Sequence, residues 1–348
     1  PRNVAKRPGE MARNSLSHLG RGADGILFFQ WRASRSGAEK FHSAMIPHAG
    51  TGSRVFREVA ALGATLGKLS EVQGSRVHAD VAILWDFASF WAQGLEWRPS
   101  EDLDAAERIR AYYERLWRDG ITVDFALPSH DLSRYKLVIA PAQYMLSAAD
   151  AANLNSYVAG GGTLVVSFFS GVVDENDAVH AGGFAAPLEP ALGILVEEHL
   201  PLRQRDTVTI DFDGRHYDAD IWQEDLSVTT AQARAVHLDG PGRGEAAVTR
   251  NAYGAGSGWY VATRPDATGL QAIMTAVYAD AGISPAGWPA GVEVIVRHGA
   301  SADYIVAINH TIETVSLSVS GTDLVTGAVS EGTLMVTGGD VAVVRSPH

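Results

Sequence analysis

The amino-acid sequence predicts an α/β protein in which strands and helices alternate over the middle of the chain and only strands follow. Two observations support this fold class. Between residues 81 and 169, apolar strand-like runs alternate with helix-like stretches across short, glycine-containing turns, which is typical of an open, doubly wound parallel sheet. After Pro285 and Pro289 the helical pattern stops, and short alternating runs separated by glycines predict a small antiparallel β domain.

The N-terminal part of the chain is predicted to form a helix, a strand, a long loop and a second helix. Residues 8–20 have apolar side chains near helical spacing and end in a glycine that can terminate the helix. The continuous apolar run within 25–31 predicts a strand that is buried on both faces. After a polar loop, an apolar stripe predicts a second helix over about 53–69.

The middle of the chain contains the longest regular alternation. Strands are predicted at 81–87, 121–127, 136–141 and 163–169, with helices at 102–120 and from residue 147. The pattern then becomes less regular, and its last elements are strands in 246–254 and 256–264 and a helix at 267–281. The strands of the final β domain are predicted between residues 292 and 346.

Composition and charge exclude several classes of function. The chain has 348 residues, a net charge of −12 and a pI near 5.4, so we expect no nucleic-acid partner and a neutral or cationic substrate. No apolar run approaches the roughly 20 residues that span a bilayer, and the N-terminus resembles no signal peptide. We therefore expect no membrane partner. The absence of cysteine removes disulfides, thiolate metal sites and a cysteine nucleophile, and it fits the reducing cytoplasm that we expect as the location.

The stretch from residue 22 to residue 50 is the first candidate for a functional site. Its predicted strand is followed by Trp31 and Arg32, and then by Glu39 and His42 in a polar loop. Ligands bind at the carboxyl ends of strands in α/β sheets and barrels, because the loops there vary while the strands hold their bases rigid. A helical turn would point Glu39 and His42 the same way. From spacing alone, a solvated polar turn is the simpler explanation.

Three motifs in this chain resemble one enzyme family. FFQWRASRSGAEKFHSAMIPHAG, at 28–50, closely resembles the last barrel strand and following loop of family 42 glycoside hydrolases, which are β-galactosidases. SGVVDENDAVHAGG at 170–183 and YGAGSGWYVATRPD at 253–266 resemble the same family in the same order. The resemblance covers essentially the whole chain.

The resemblance implies three domains. Residues 1–73 would be the end of a (β/α)₈ TIM barrel, 74–286 an α/β trimerisation domain with a fold like flavodoxin and the glutamine amidotransferases, and 287–348 an antiparallel β domain. A complete barrel takes about 250 residues, so we expect its first seven strands to belong to polypeptide that precedes this chain. A chain that begins at Pro1 rather than Met fits that expectation.

The implied function of the full-length protein is hydrolysis of terminal β-D-galactose residues with retention of configuration, by a homotrimer and without a cofactor. Its site residues in this chain would be Glu39 and His42, which hydrogen-bond sugar hydroxyls in this family, and Phe29, which would lie against the apolar face of the sugar. A barrel-core role explains Phe29 equally well. The rival interpretation is a non-catalytic module for assembly and for the rim of the substrate site.

No catalytic residue is assigned to this chain. Retaining glycosidases need two carboxyl groups about 5 to 5.5 Å apart, usually on different strand ends. The N-terminal part has four other carboxylates. Asp24 lies at the wrong end of the predicted strand, and the others lie on helices or past them, namely Glu10, Glu58 and Glu71. In the family, both catalytic glutamates lie on earlier barrel strands, so this chain by itself is expected to be inactive.

Three further segments have alternative explanations. The acidic loop from Asp174 to His180 could ligate a hard cation, but we favour an ordinary polar loop and predict no metal site. The glycines at 160–162 lie between a helix and a strand, so they predict a turn rather than a phosphate-binding loop. The segment 87–97 is rich in aromatic residues, namely Phe87, Phe90, Trp91 and Trp97. These residues fit either a trimer interface or core packing.

Overall fold

The computed structural model describes residues 4–95 and 97–348, which divide into two compact units. The terminal unit contains the described residues as far as His78 together with Gly287–His348. The middle unit is Ala79–Ala286. No helix among the described residues is long and apolar enough to cross a membrane. The three-domain division remains a prediction.

The described residues form α-helices, short 3₁₀ helices and strands in the order that the sequence analysis expects of an α/β chain. The α-helices are α1 (Glu10–Gly20), α2 (Arg54–Lys68), α3 (Phe87–Gln93), α4 (Ala105–Arg118), α5 (Ala148–Ala159), α6 (Glu189–Leu192) and α7 (Ala267–Ala281). The 3₁₀ helices are Ala38–Phe41, Ser70–Val72 and Ala186–Leu188. The strands of the middle unit are β2 (Val81–Leu84), β3 (Val123–Ala126), β4 (Leu137–Ala140), β5 (Thr163–Ser167), β6 (Ile194–Pro201), β7 (Thr207–Phe212), β8 (Arg215–Asp220), β9 (Trp222–Val228), β10 (Gln232–His237), β11 (Ala246–Tyr253), β12 (Gly256–Val261) and β13 (Arg264–Pro265). Those of the terminal unit are β1 (Arg76–Val77), β14 (Val292–His298), β15 (Ala302–Asn309), β16 (Val315–Leu317), β17 (Ser320–Asp323), β18 (Val329–Glu331), β19 (Leu334–Val336) and β20 (Val341–Pro347).

Capping side chains mark the starts of α2 and α4. Ser53 caps α2 by accepting a hydrogen bond from the backbone N–H of Phe56 at 3.3 Å. Asp104 caps α4 in the same way, with Ala106 N–H at 2.9 Å. The predicted helices 8–20, 53–69, 102–120 and 267–281 are confirmed, with ends that differ from the prediction by at most three residues.

The main sheet of the middle unit has ten strands in the order β13-β8-β7-β10-β11-β12-β5-β4-β2-β3. Strands β12, β5, β4, β2 and β3 run parallel, as predicted. The prediction of a parallel sheet is wrong for the other half, where β13, β8, β7, β10 and β11 pair antiparallel. Hairpins such as β7–β8, which turns at Asp213 and Gly214, can join only antiparallel strands, since parallel strands need a crossover of a dozen or more residues.

The parallel strands β2, β4 and β5 are buried on both faces. Along β2, the side chains of Val81 and Ile83 pack on the face that includes Tyr112 of α4. Those of Ala82 and Leu84 belong to the opposite core, together with α5 residues. Because neighbouring side chains of a strand point to opposite faces, a strand covered on both sides is apolar throughout, and this is the pattern that made β2, β4 and β5 predictable.

The terminal unit has a six-stranded antiparallel sheet in the order β1-β14-β15-β20-β17-β18. Leu16 and Leu19 of α1 share a buried cluster with Val306 of β15 and Val343 of β20. Leu69 at the end of α2 belongs to the same cluster. The first and last segments of the chain thus form one core.

Arg297 of β14 is fully buried and joins the parts of the terminal unit. Its guanidinium donates to the backbone oxygens of Leu19 at 2.7 Å and Ala23 at 3.0 Å, and to Asp24 Oδ1 at 2.6 Å. It also donates to the Oγ of Ser75 at 2.8 Å and to its backbone oxygen at 2.9 Å. The hydrogen bond from Arg297 holds the pKa of the Asp24 carboxyl below its usual value. Asp24 therefore has a structural partner.

The buried strand predicted at 25–31 is absent among the described residues. These residues form no strand, and the side chains of Leu27 and Phe29 are 92% and 70% exposed. A strand in a sheet needs neighbours for its backbone N–H and C=O groups. Among the described residues, the nearest approach to a ladder is one isolated parallel bridge between Arg32 and Ile46.

Candidate functional site

The loop that carries the candidate residues is closed by backbone hydrogen bonds at its base. Met45 N–H donates to the oxygen of Gln30 at 2.9 Å, and Ile46 N–H donates to the oxygen of Trp31 at 2.8 Å. Ala33 N–H donates in turn to the oxygen of Ile46 at 3.0 Å. The base of the loop is therefore held, and the segment between is displayed on the surface.

The segment AEKFH forms the predicted helical turn, as a 3₁₀ helix over Ala38–Phe41. The backbone N–H of His42 donates to the oxygen of Glu39 at 2.9 Å and ends the turn. A second contact fixes the turn from outside, between the Nε2 atom of His48 and the backbone oxygen of Lys40 at 2.7 Å. Glu39 and His42 are thus carried by one short, braced turn.

The side chains of this turn are exposed and largely uncommitted. The rings of Phe29 and His42 meet edge to face, with centroids 6.3 Å apart. Glu39 and His42 are both exposed, and within the part of the chain that the structure describes the Glu39 carboxylate has no hydrogen-bond or ion-pair partner. A carboxylate that accepts, an imidazole that donates or accepts, and an aromatic ring can together bind the hydroxyls and the apolar face of a polyol ring. We call this set the loop site.

The other carboxylates of the N-terminal part do not join the loop site. Each has a partner elsewhere. Glu10 accepts a hydrogen bond from Arg7 N–H at 2.7 Å, and Asp24 accepts one from Arg297. Glu58 forms an ion pair with Arg54 at 2.7 Å, and Glu71 forms one with Arg345 at 3.2 Å. The chemistry available at the loop site is therefore binding, since one uncommitted carboxylate cannot act as both nucleophile and acid.

The acidic loop from Asp174 to His180 is held by its own hydrogen bonds. The Oδ1 atom of Asp174 accepts from the N–H groups of Asn176 at 2.8 Å and Ala178 at 3.0 Å, and these bonds lower the pKa of Asp174. The Nε2 atom of His180 lies 3.0 Å from the backbone oxygen of Leu146. Over residues 4–95 and 97–348, no group of His, Asp and Glu side chains could hold a metal ion.

The aromatic residues of the segment 87–97 lie mostly on the surface of the middle unit. Phe87 and Trp91 of α3 are 55% and 67% exposed, and Trp97 is almost fully exposed. Phe90 is half-buried. Core packing is therefore the wrong explanation for Phe87, Trp91 and Trp97.

The sequence analysis missed a buried polar cluster around Glu224 of β9. This side chain is fully buried, and its carboxyl group accepts from Trp222 Nε1 at 2.9 Å and Tyr260 Oη at 2.7 Å. The His199 ring lies beside it, with Nε2 3.8 Å from a carboxyl oxygen. Burial raises the pKa of Glu224 to about 8 and lowers that of His199 to about 4, so both groups are uncharged at neutral pH. The polar stretch WQEDL gives no sign of this burial.

Comparisons with known proteins agree along the whole chain. The family model described as "Beta-galactosidase" matches residues 1–69, "Beta-galactosidase trimerisation domain" matches 79–284, and "Beta-galactosidase C-terminal domain" matches 291–346. A β-galactosidase of Arthrobacter sp. is 42% identical over 99% of this chain and 49% of its own length. The β-galactosidase BgaB of a Geobacillus species is 43% identical over 99% of this chain and 52% of its own length.

Solved structures give the same result. The crystal structure of a β-galactosidase from Bacillus circulans sp. alkalophilus superimposes with a TM-score of 0.94 at 34% identity, covering 99% of this chain and 53% of that one. A β-galactosidase from a Rahnella species gives a TM-score of 0.90 at 32% identity, covering 99% and 52%. The chain thus spans about half the length of the relatives that it matches.

Proposed function

The chain belongs to glycoside hydrolase family 42, and we propose on that premise that the whole protein hydrolyses terminal, non-reducing β-D-galactose residues with retention of configuration. One observation supports this most directly. The segment matched by the "Beta-galactosidase" model contains a braced turn with an exposed, uncommitted carboxylate and an imidazole next to an exposed aromatic ring. Relatives over 40% identical to the chain bear the name β-galactosidase.

In this proposal the loop site binds the galactose ring and performs no chemistry. Glu39 accepts hydrogen bonds from sugar hydroxyls, and His42 donates or accepts one more. Phe29, whose ring contacts His42 edge to face, lies against the apolar C–H face of the sugar. A neutral galactoside suits a chain with a net charge of −12, because no charged substrate group has to be neutralised.

We further propose that residues 25–31 form the last strand of a TIM barrel in the whole protein. The exposed Leu27 and Trp31 side chains would then be covered by a neighbouring strand and its helices. The two catalytic carboxyl groups are assigned to other strands of that barrel, since the N-terminal part of this chain offers no suitable pair. Residues 1–73, 74–286 and 287–348 are the domains of the proposal.

For the middle domain we propose a fold like flavodoxin and the glutamine amidotransferases, used for homotrimer assembly in the cytoplasm. The family model that covers most of it is described as a trimerisation domain. The chain has no cysteine, so amidotransferase chemistry through a cysteine nucleophile is excluded. No cofactor is part of the proposed reaction.

A second candidate function is supported by the exposed aromatic residues of α3. In this alternative the chain acts as a non-catalytic module that assembles subunits and forms the rim of a substrate site. It differs from the first proposal in one measurable respect, because it requires assembly and no turnover by the whole protein.

The test compares the complete gene product with the 348-residue chain on a chromogenic β-galactoside, with the anomeric configuration of the first product followed by NMR. We expect turnover with retention by the complete protein and none by the chain. Assembly without turnover by the folded complete protein would favour the second candidate. Turnover by the chain that is abolished by Glu39→Gln would show that our assignment of the carboxylates is wrong.

A further inference from the structure

A continuous row of aromatic rings covers one corner of the middle unit. The ring of Trp85, at the end of β2, lies 5.5 Å from that of Phe87 and 6.4 Å from that of Phe125 on β3, measured between centroids. Trp91 extends the row on one side, 5.6 Å from Phe87, and Tyr113 of α4 extends it on the other, 6.1 Å from Phe125. We call these five residues the aromatic face.

The outer rings of this face are open to solvent. Phe87, Trp91 and Phe125 are 55%, 67% and 54% exposed, whereas Trp85 and Tyr113 are half-buried beneath them. Fully burying an aromatic side chain removes roughly 150 to 250 Å² from water, so these three rings leave an apolar patch of roughly 300 Å² exposed. That is within the range of the largest patches on monomeric proteins, which commonly mark interaction sites.

The aromatic face also lies at an open edge of the sheet. Strand β3 is the last strand and hydrogen-bonds only to β2. Natural proteins protect such edges with charge, with proline or with a covering element, because an open edge can pair with another chain. Asp124 is the one charged residue of β3, and its carboxylate is engaged by Arg134 at 2.6 Å. The apolar edge is therefore left uncovered within the middle unit.

We propose that a second copy of this chain covers the aromatic face. The inference rests on the proposed homotrimer and specifies which surface the subunits share. Two observations select this partner: the family model that includes all five aromatic residues is described as a trimerisation domain, and the face has the composition of an interface core, rich in aromatic residues and poor in charge.

The symmetry of a trimer decides what the face contacts. In a closed ring of three subunits each interface is heterologous, which means that a surface of one copy meets a different surface of the next. The aromatic face therefore occurs once in each interface and packs on another part of the neighbouring copy. A substitution on this face removes the same contact from all three interfaces, so the trimer loses its contacts together.

The test is the assembly state of the complete protein, measured by sedimentation velocity over a range of concentrations. The test variant is the double substitution Trp91→Glu and Phe125→Lys, at positions already more than half exposed. The matched control is Val179→Glu, which places a charge on an exposed apolar residue outside the aromatic face. Circular dichroism and the thermal midpoint verify that each variant is folded.

We expect wild type and the control to sediment at three times the monomer mass and the double variant as a monomer. Two hot-spot residues, each contributing roughly thirtyfold to affinity, predict a rise of roughly a thousandfold in the dissociation constant. A folded double variant that remains trimeric would overturn the assignment of this surface while leaving the proposed trimer intact. A monomeric wild type would overturn both. Neither result bears on hydrolysis, which is measured separately.

Discussion

The wild-type protein should lose stability between pH 6.5 and pH 8 because Glu224 ionises. Replacing Glu224 by glutamine should remove this loss. The carboxyl group is fully buried with Trp222 Nε1 and Tyr260 Oη as its partners, and burial raises its pKa to about 8. In the unfolded chain it ionises near its ordinary value of 4.5. Because the folded pKa is the higher one, the stabilisation is complete below pH 4.5 and is lost as the pH rises through 8.

The magnitude follows from the proton balance. While the folded state keeps the proton and the unfolded state does not, the free energy of unfolding falls by about 1.4 kcal/mol for each pH unit. His199 and His237 change in the opposite direction, since burial lowers the pKa of each from 6.5 to about 4, and most of their effect falls below pH 6.5. From pH 6.5 to pH 8, Glu224 therefore accounts for a loss of about 2 kcal/mol.

Glutamine is the suitable replacement because it has the shape of the protonated acid. Its amide oxygen can accept from Trp222 Nε1, and its amide nitrogen can donate to Tyr260 Oη. The matched control is Glu198→Gln, at an exposed position of the neighbouring strand β6. Neither substitution removes a buried apolar contact.

The assay is urea unfolding of wild type and both variants at pH 6.5 and pH 8, at one protein concentration. We expect the stability difference between Glu224→Gln and wild type to change by about 2 kcal/mol in favour of the variant across this interval. The control should follow wild type at both pH values. Identical pH dependence of wild type and Glu224→Gln would refute the conclusion that the folded protein holds a protonated carboxyl group at this position.

Two further predictions concern the terminal unit and the loop site. Arg297→Met should destabilise the terminal unit by about 3 kcal/mol in urea unfolding, because buried carbonyls and a carboxylate lose their donor. The exposed ion-pair variant Arg54→Met should cost less than about 1 kcal/mol, and equal losses for the two would contradict the role given to Arg297. His42→Ala in the complete protein should lower kcat/KM by roughly ten- to a hundredfold with circular dichroism unchanged; kinetics within a factor of two of wild type would count against its contact with the sugar.

The sequence predicted those parts of the fold that local pattern determines. Apolar runs such as 137–140 identify a strand that is covered on both faces, and an apolar stripe such as that of 53–69 identifies a helix with one buried face. The family resemblance rests on local motifs too, and it is confirmed. Strand direction is different, because it depends on which strands become neighbours. In the irregular segment after residue 170, the Asp213-Gly214 pair between β7 and β8 is a local sign of an antiparallel hairpin that the sequence analysis did not use.

The remaining failures all involve partners that are distant in sequence or outside the chain. The run at 25–31 has the composition of a buried strand but no neighbouring strand among the described residues, so its side chains stay exposed. In the sequence, Arg297 and Glu224 look like surface charges. Their burial depends on contacts with residues that are distant along the chain, up to 278 positions away for Arg297 and 55 for Glu224. For Trp91, composition could not separate interface from core, because aromatic residues dominate both.

The most direct test of the central claim is the steady-state kinetics of Glu39→Gln in the complete protein. The substitution keeps size and replaces a charged acceptor by a neutral amide, and a hydrogen bond to a charged group contributes about 1.5 to 3 kcal/mol. At about 1.4 kcal/mol per decade, kcat/KM for a β-galactoside should fall by roughly ten- to a hundredfold. A loss of many further decades would make Glu39 a catalytic group, and a change of less than twofold would show that the turn is solvated and binds no sugar.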